Sequence, residues 1–182
     1  IQNHKELLEQ RLAERTADLQ EANRKLRENQ RFQESLLNSS PDIIHIYDII
    51  EGRNIYSNEG LVNTLGYSVE EVQDLGENLL PSLMHPEDLD IYRTNTLPRY
   101  QKAEDGELIE HEVRMKHKDG MWRWLHSRES IFKRLSDGKP KQIFGVASDI
   151  TEQKKVENSL LESEEKYRHL IDDNAQIHLS VF

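Results

Sequence analysis

The sequence predicts an α+β domain, a five-stranded antiparallel sheet with short helices on one face, preceded and followed by long coiled-coil-type helices. Three observations predict it. Residues 6–37 contain no Gly or Pro and are rich in Leu, Glu, Gln, Arg, Lys and Ala, the strong helix formers. Residues 38–151 break into short alternating segments punctuated by turn dipeptides. After Thr151, apolar residues return at the three- and four-residue spacing of a helix face. Of 182 residues, 35% are hydrophobic and 32% charged, with a mean hydropathy of −0.83. Such a chain cannot wrap every segment around one core, so part of it is expected as solvated helix.

In the first segment Leu12, Leu19 and Leu26 recur every seven residues, and Thr16, Asn23 and Gln30 stand four residues after each. This is a heptad seam with Leu at d and polar residues at a. A buried Asn at an a position lowers stability while favouring a parallel two-stranded register, so Asn23 is expected to set register and dimer state. A parallel homodimer is the expected partner arrangement.

Asn38-Ser39-Ser40-Pro41-Asp42 ends the helical pattern with breakers. Residues 43–48 and 54–57 read as strands joined around Glu51-Gly52-Arg53. Helices are expected over 59–65 and 68–75, the second with Ser68 as N-cap and Glu70 and Glu71 in the first turn. Pro86 suits the first position of a further helix running, past a disturbance at Pro98, to Gln101. Residues 108–118, 121–134 and 141–148 read as three longer strands, with Asp119-Gly120 and Asp137-Gly138 as turns. In the first of them Ile109, His111, Val113 and Met115 share one face, while Glu110, Glu112, Arg114 and Lys116 share the other.

Composition narrows the function classes. No run approaches the roughly 18 apolar residues of a membrane span, and Ile1-Gln2-Asn3-His4 lacks the features of a signal peptide, so a cytoplasmic location is expected. The absence of cysteine removes disulfides, thiolate metal sites and thiol nucleophiles. The net charge of −10 opposes nucleic-acid binding. Residues 1–35 hold seven basic and seven acidic side chains, so the whole excess lies in the later part.

Ser40-Pro41-Asp42, Tyr56-Ser57-Asn58, Leu65-Gly66-Tyr67-Ser68, His85-Pro86-Glu87-Asp88, Lys118-Asp119-Gly120 followed by Arg123-Trp124, and Gly145 with Asp149-Ile150-Thr151 occur in that order. Together they resemble a PAS sensor domain of the subgroup with a C-terminal PAC segment. The resemblance implies strand order 2-1-5-4-3, with a pocket beneath the helices. It divides the chain into an N-terminal signalling helix (1–37), a PAS/PAC domain (38–151), an output linker helix (152–172) and the start of a second PAS-like domain (173–182). It also implies a bacterial receptor, anchored in the inner membrane or not, with a downstream effector in the same chain. A histidine kinase is the first expectation, with a diguanylate cyclase or a ligand-free structural spacer as alternatives.

Tyr56, Asn58, Met84, Met115, Trp124 and His126 are candidate pocket residues; core packing is the plainer role for them. Asp149 and Thr151 are candidates for signal coupling, because they stand where the last strand becomes a helix, and Glu152 follows Asp149 at capping spacing. A small metabolite or non-covalent flavin suits the resemblance. Cysteinyl-flavin chemistry lacks its Cys, and haem lacks the His that relatives carry on the long helix before the third strand. The eight histidines suggest no metal site. His111-Glu112-Val113-Arg114 looks like a kinase phosphoacceptor box but reads as strand. A small hydrolase using His111, His126 and a carboxylate is the enzymatic alternative, and no nucleophile or metal motif accompanies it. The fragment itself is expected not to be an enzyme.

Overall fold

A computed structural model describes the backbone of residues 2–179 and the side chains of residue 5 and residues 10–169. Two compact units divide the chain, residues 1–40 and residues 41–182. The first is a single helix, α1 (Gln2–Asn38), which leaves Leu12, Leu19 and Leu26 exposed. Its surface is laced by pairs one turn apart: Arg24 bonds both Glu21 and Glu28, and the Thr16 hydroxyl donates to the carbonyl of Leu12.

The second unit opens with β1 (Ile43–Asp48) and β2 (Arg53–Ser57). Asp48 shapes the turn between them, its Oδ1 accepting from the backbone N–H groups of Ile50 and Glu51 at 3.0 and 2.9 Å. Helix α2 (Gly60–Leu65) starts where only glycine fits, since a Cβ on Gly60 would lie 2.2 Å from the carbonyl oxygen of Asp42. Helix α3 (Val69–Asp74) carries a complete capping box between Ser68 and Glu71. Short α4 (Leu79–Leu83) leads into α5 (Pro86–Ile91). The helix expected to run on to Gln101 is broken earlier than Pro98, by a π turn over Tyr92–Thr96, and resumes as α6 (Leu97–Lys102). Pro98 has no N–H to return, and the wide turn ahead of it points Tyr92 and Thr96 inward, followed by Tyr100 one turn on.

β3 (Ile109–Lys116), β4 (Trp122–Arg134) and β5 (Pro140–Asp149) complete an antiparallel sheet of order β2-β1-β5-β4-β3, matching the PAS arrangement. The helices cover one face, and the core between includes Leu61, Leu65, Val72, Leu79, Tyr100, Ile109, Val113, Leu125 and Ile143. Helix α7 (Thr151–Leu179) leaves the end of β5. Residues 173–179, expected to open a further domain, continue this helix, and 180–182 lie outside the described residues. Among the described residues no helix is long and apolar enough to cross a membrane.

Candidate functional site

The site is built by strand register. On the helix-covered face, β1 presents Ile43, His45 and Tyr47, β5 presents Ile143, Gly145 and Ala147, and β4 presents Leu125, Ser127 and Glu129. His45 pairs with Gly145 across β1 and β5, and Gly145 pairs with Glu129 across β5 and β4. One row therefore carries an imidazole, no side chain, and a carboxylate. The gap at Gly145 is filled from both sides, and His45 Nε2 meets Glu129 Oε1 at 3.1 Å. A Cβ on Gly145 would sit 2.5 Å from His45 Cε1 and 2.7 Å from Glu129 Cγ.

Further donors converge on Glu129, which is only 5% exposed. Ser127 Oγ donates to Oε1 at 2.9 Å, and the fully buried Tyr100 hydroxyl donates to Oε2. His111 Nε2 stands 4.0 Å from Oε2, and the His111 ring tilts against that of Tyr92 at 5.8 Å. Burial alone would raise the Glu129 carboxyl, but the hydrogen bond and charge of His45 and the Tyr100 hydroxyl hold it down at about 2. Burial lowers His111 more than the Glu129 charge raises it, so that imidazole is held neutral. Burial and the Glu129 charge push the phenols of Tyr92 and Tyr100 up, so both stay protonated as donors.

This polar row floors a cavity of about 100 Å³ whose remaining walls are mainly aliphatic, from Leu61 and Leu65 through Met84 and Met115 to Ala147. Of the residues expected around a pocket, Met84 and Met115 line it, joined by a β-bridge. Tyr56, Asn58, Trp124 and His126 do not. Asn58 is buried but structural: its Oδ1 accepts from the N–H of Ile44 at 2.8 Å, and its Nδ2 donates to the carbonyl of Asp42 at 3.0 Å. Trp124 and His126 lie on the opposite face of β4 from Leu125, Ser127 and Glu129. His126 pairs with Glu112 and approaches Glu110 at 3.9 Å, so it cannot join His111 in the hydrolase arrangement. Ser127 and Glu129 of β4 and His45 of β1 were missed because these polar side chains point inward. The register of the β3–β4 hairpin carries the signal: paired residues share a face, so Val113 opposite Leu125 puts Ser127 and Glu129 inside.

The outer face joins the sheet to α7. The Trp124 ring carries two cations, Arg114 at 5.2 Å and Lys154 at 5.5 Å from its centroid, with Lys154 also paired to Glu112 at 2.7 Å. Thr151 Oγ1 accepts from the N–H of Trp124 at 2.9 Å, and Asp149 Oδ1 accepts from the N–H of Thr151 at 2.8 Å. Glu152 turns to Lys155 instead of capping with Asp149.

A second buried acid holds the helices to the sheet. Asp88 Oδ2 accepts from the backbone N–H of Arg114 at 2.6 Å and from Nε at 3.0 Å, while Oδ1 accepts from Nη2 at 2.6 Å. His85, Glu87 and Asp88 bring potential metal-ligand atoms within 4.8 Å of one another, but the Arg114 guanidinium engages both carboxylates, which makes the group an ion-pair clamp.

A family model described as the PAS fold matches residues 54–147. The two-component sensor PprA of Pseudomonas aeruginosa is 26% identical over 142 residues, which is 77% of this chain and 14% of that protein. The chain thus spans about one seventh of that relative. Among solved structures, the PAS domain of an HTR-like protein from Haloarcula marismortui superposes with a TM-score of 0.55 at 19% identity, covering 72% of this chain and 99% of the other. A sensory box histidine kinase/response regulator from Burkholderia thailandensis gives 0.53 at 22% identity, covering 76% and 98%.

Proposed function

Because the chain belongs to the PAS-fold family, we propose that it is the sensory and dimerisation module of a bacterial signalling receptor, relaying cavity occupancy through α7 to an effector in the same chain. One observation carries this reading: adjacent residues of β4 face the cavity and the output helix. Leu125 lines the cavity, while its neighbour Trp124 gives its N–H to Thr151 and its ring to Lys154. A shift of β4 on ligand binding is thereby felt at the first turn of α7. A bias of about 1–3 kcal/mol between two states suffices for a useful switch. A histidine kinase is the effector this reading favours, since the Pseudomonas relative is a two-component sensor.

The exposed Leu12, Leu19 and Leu26 supply the dimer seam, with Thr16, Asn23 and Gln30 as the polar layers that keep alternative registers close in energy. Two measurements test the proposal. In the full receptor, Asp149→Ala and Thr151→Val are expected to uncouple output from stimulus while the domain still melts cooperatively; unchanged output would sink the relay. Asn23→Cys is expected to give a disulfide-linked dimer under mild oxidation, and a chain that stays monomeric would sink the parallel seam.

A further inference from the structure

The cavity's unmatched polar atoms have one chemical sign. Asn54 gives its Nδ2 to the carbonyl of Tyr56 at 3.1 Å and to Ser57 Oγ at 2.9 Å, which fixes the amide orientation and leaves Oδ1 buried with no partner. His111 also has a buried, unpartnered ring nitrogen, Nδ1. The Glu129 carboxylate beside Nε2 draws the single proton of a neutral imidazole to that nitrogen, so Nδ1 carries a lone pair. Both orphans are acceptors, and both residues line the cavity. A buried acceptor without a donor is destabilising, and a ligand that supplies the donor recovers that loss on binding.

Charge narrows the class further. Among the described residues no Lys or Arg lines the cavity, and the His45 imidazole is already engaged with Glu129. An anion would be buried beside a carboxylate with no cation to meet it. A cation would find the Glu129 oxygens already accepting from His45, Ser127 and Tyr100. At about 100 Å³ the space is smaller than the roughly 150 Å³ cavity that admits benzene. We propose that the ligand is a small neutral molecule with an apolar body and a hydroxyl or N–H group that donates to His111 Nδ1, and that the site rejects carboxylates. This rests on the reading of the cavity as the sensory site.

The test uses the whole chain, labelled with nitrogen-15, and three probes of matched size: 1-propanol, propionate and propylammonium. Each is titrated while the ring nitrogens of His111 are followed by NMR. The expected result is a Kd for 1-propanol at least tenfold below those of both ions, with the Nδ1 resonance moving as the lone pair accepts a hydrogen bond. His111→Phe, which removes the acceptor and keeps a ring, should weaken 1-propanol about tenfold. If propionate or propylammonium binds as well as 1-propanol, or if 1-propanol binds without moving Nδ1, the donor assignment is overturned and the cavity remains a ligand site. If none of the three binds, the cavity reading falls with it.

Discussion

Asp88 and Glu129 are both buried carboxylates on the same domain, 7% and 5% exposed, yet their surroundings give them different work. Asp88 faces a permanent cation: Arg114 supplies three hydrogen bonds from its backbone and guanidinium. Glu129 faces only groups that can change, two imidazoles, a phenol and a hydroxyl. Arginine cannot lose its proton in a protein, so the Asp88 site has one state. The Glu129 site can redistribute protons and hydrogen bonds when something enters the cavity. One acid staples α5 to β3; the other floors a space that responds.

The largest effect that would break this contrast is on the staple. Asp88→Ala removes one partner of a buried pair and leaves the Arg114 guanidinium and a strand N–H short of acceptors. The expected loss is about 3 kcal/mol, at the low end for broken buried pairs because the Arg114 side chain is 23% exposed and keeps Glu87. Asp88→Asn retains an acceptor for the backbone and should cost about half as much. Urea denaturation checks both; losses under 1 kcal/mol would mean that Asp88 is no more structural than Glu129.

Much of the fold could be read in advance, and the site largely could not, for one physical reason. The Ser68 N-cap, the Asp119-Gly120 turn and the inward face of β3 follow local rules of chemistry and period, and the structure has all three. The helix break at Tyr92–Thr96 was displaced from Pro98 because a proline disturbs the bonds of the preceding turn. On β4 the local rule misleads: Trp122, Trp124 and His126 look like core and lie outside, whereas Ser127 and Glu129 look like surface and lie inside. Beyond the bond between the two, Glu129 is satisfied by residues 29 or more positions away, Tyr100 and His45, which no local pattern reports. The trace left in the sequence is Gly145, a glycine inside a strand, which marks a close approach from neighbouring chains of atoms.

That glycine gives the second break. Gly145→Ala places a methyl group within 2.7 Å of both His45 and Glu129, so the pair must separate. Overpacking of this kind costs about 1–3 kcal/mol. The diagnostic part is where the damage falls: the His45 and His111 ring resonances should shift while Arg114, on the other acid, should not. Equal perturbation of both sites would show that the two acids are not independent.

The smallest effect at neutral pH sharpens the contrast most. Glu129→Gln keeps the shape and an oxygen for Ser127 or Tyr100, which retains part of the stabilisation that the ionised carboxylate draws from its donors, so stability at pH 7 should fall by about 1 kcal/mol, less than in Asp88→Ala. The pH profile carries the signature. Glu129 in the folded chain holds its proton off until about pH 2, whereas an unfolded glutamate binds one near 4.3. Between those values the unfolded state binds more protons, so the stabilisation is fully present above about 4.3 and is lost as pH falls toward 2. Glutamine does not titrate, so this acid limb should flatten, leaving the part due to Asp88 and the surface carboxylates. His111 moves the other way. Its folded pKa is already lowered, first by burial, and the Glu129 charge opposes that shift. Without the charge the pKa falls further, so more stability should be lost as pH drops just below about 6.5, where an unfolded histidine takes up its proton. A profile flatter below pH 4 and steeper just below 6.5 would mark Glu129 as ionised and coupled to His111. An unchanged acid limb would mean that the carboxyl is already neutral, and the two buried acids would then differ in charge as well as in partners.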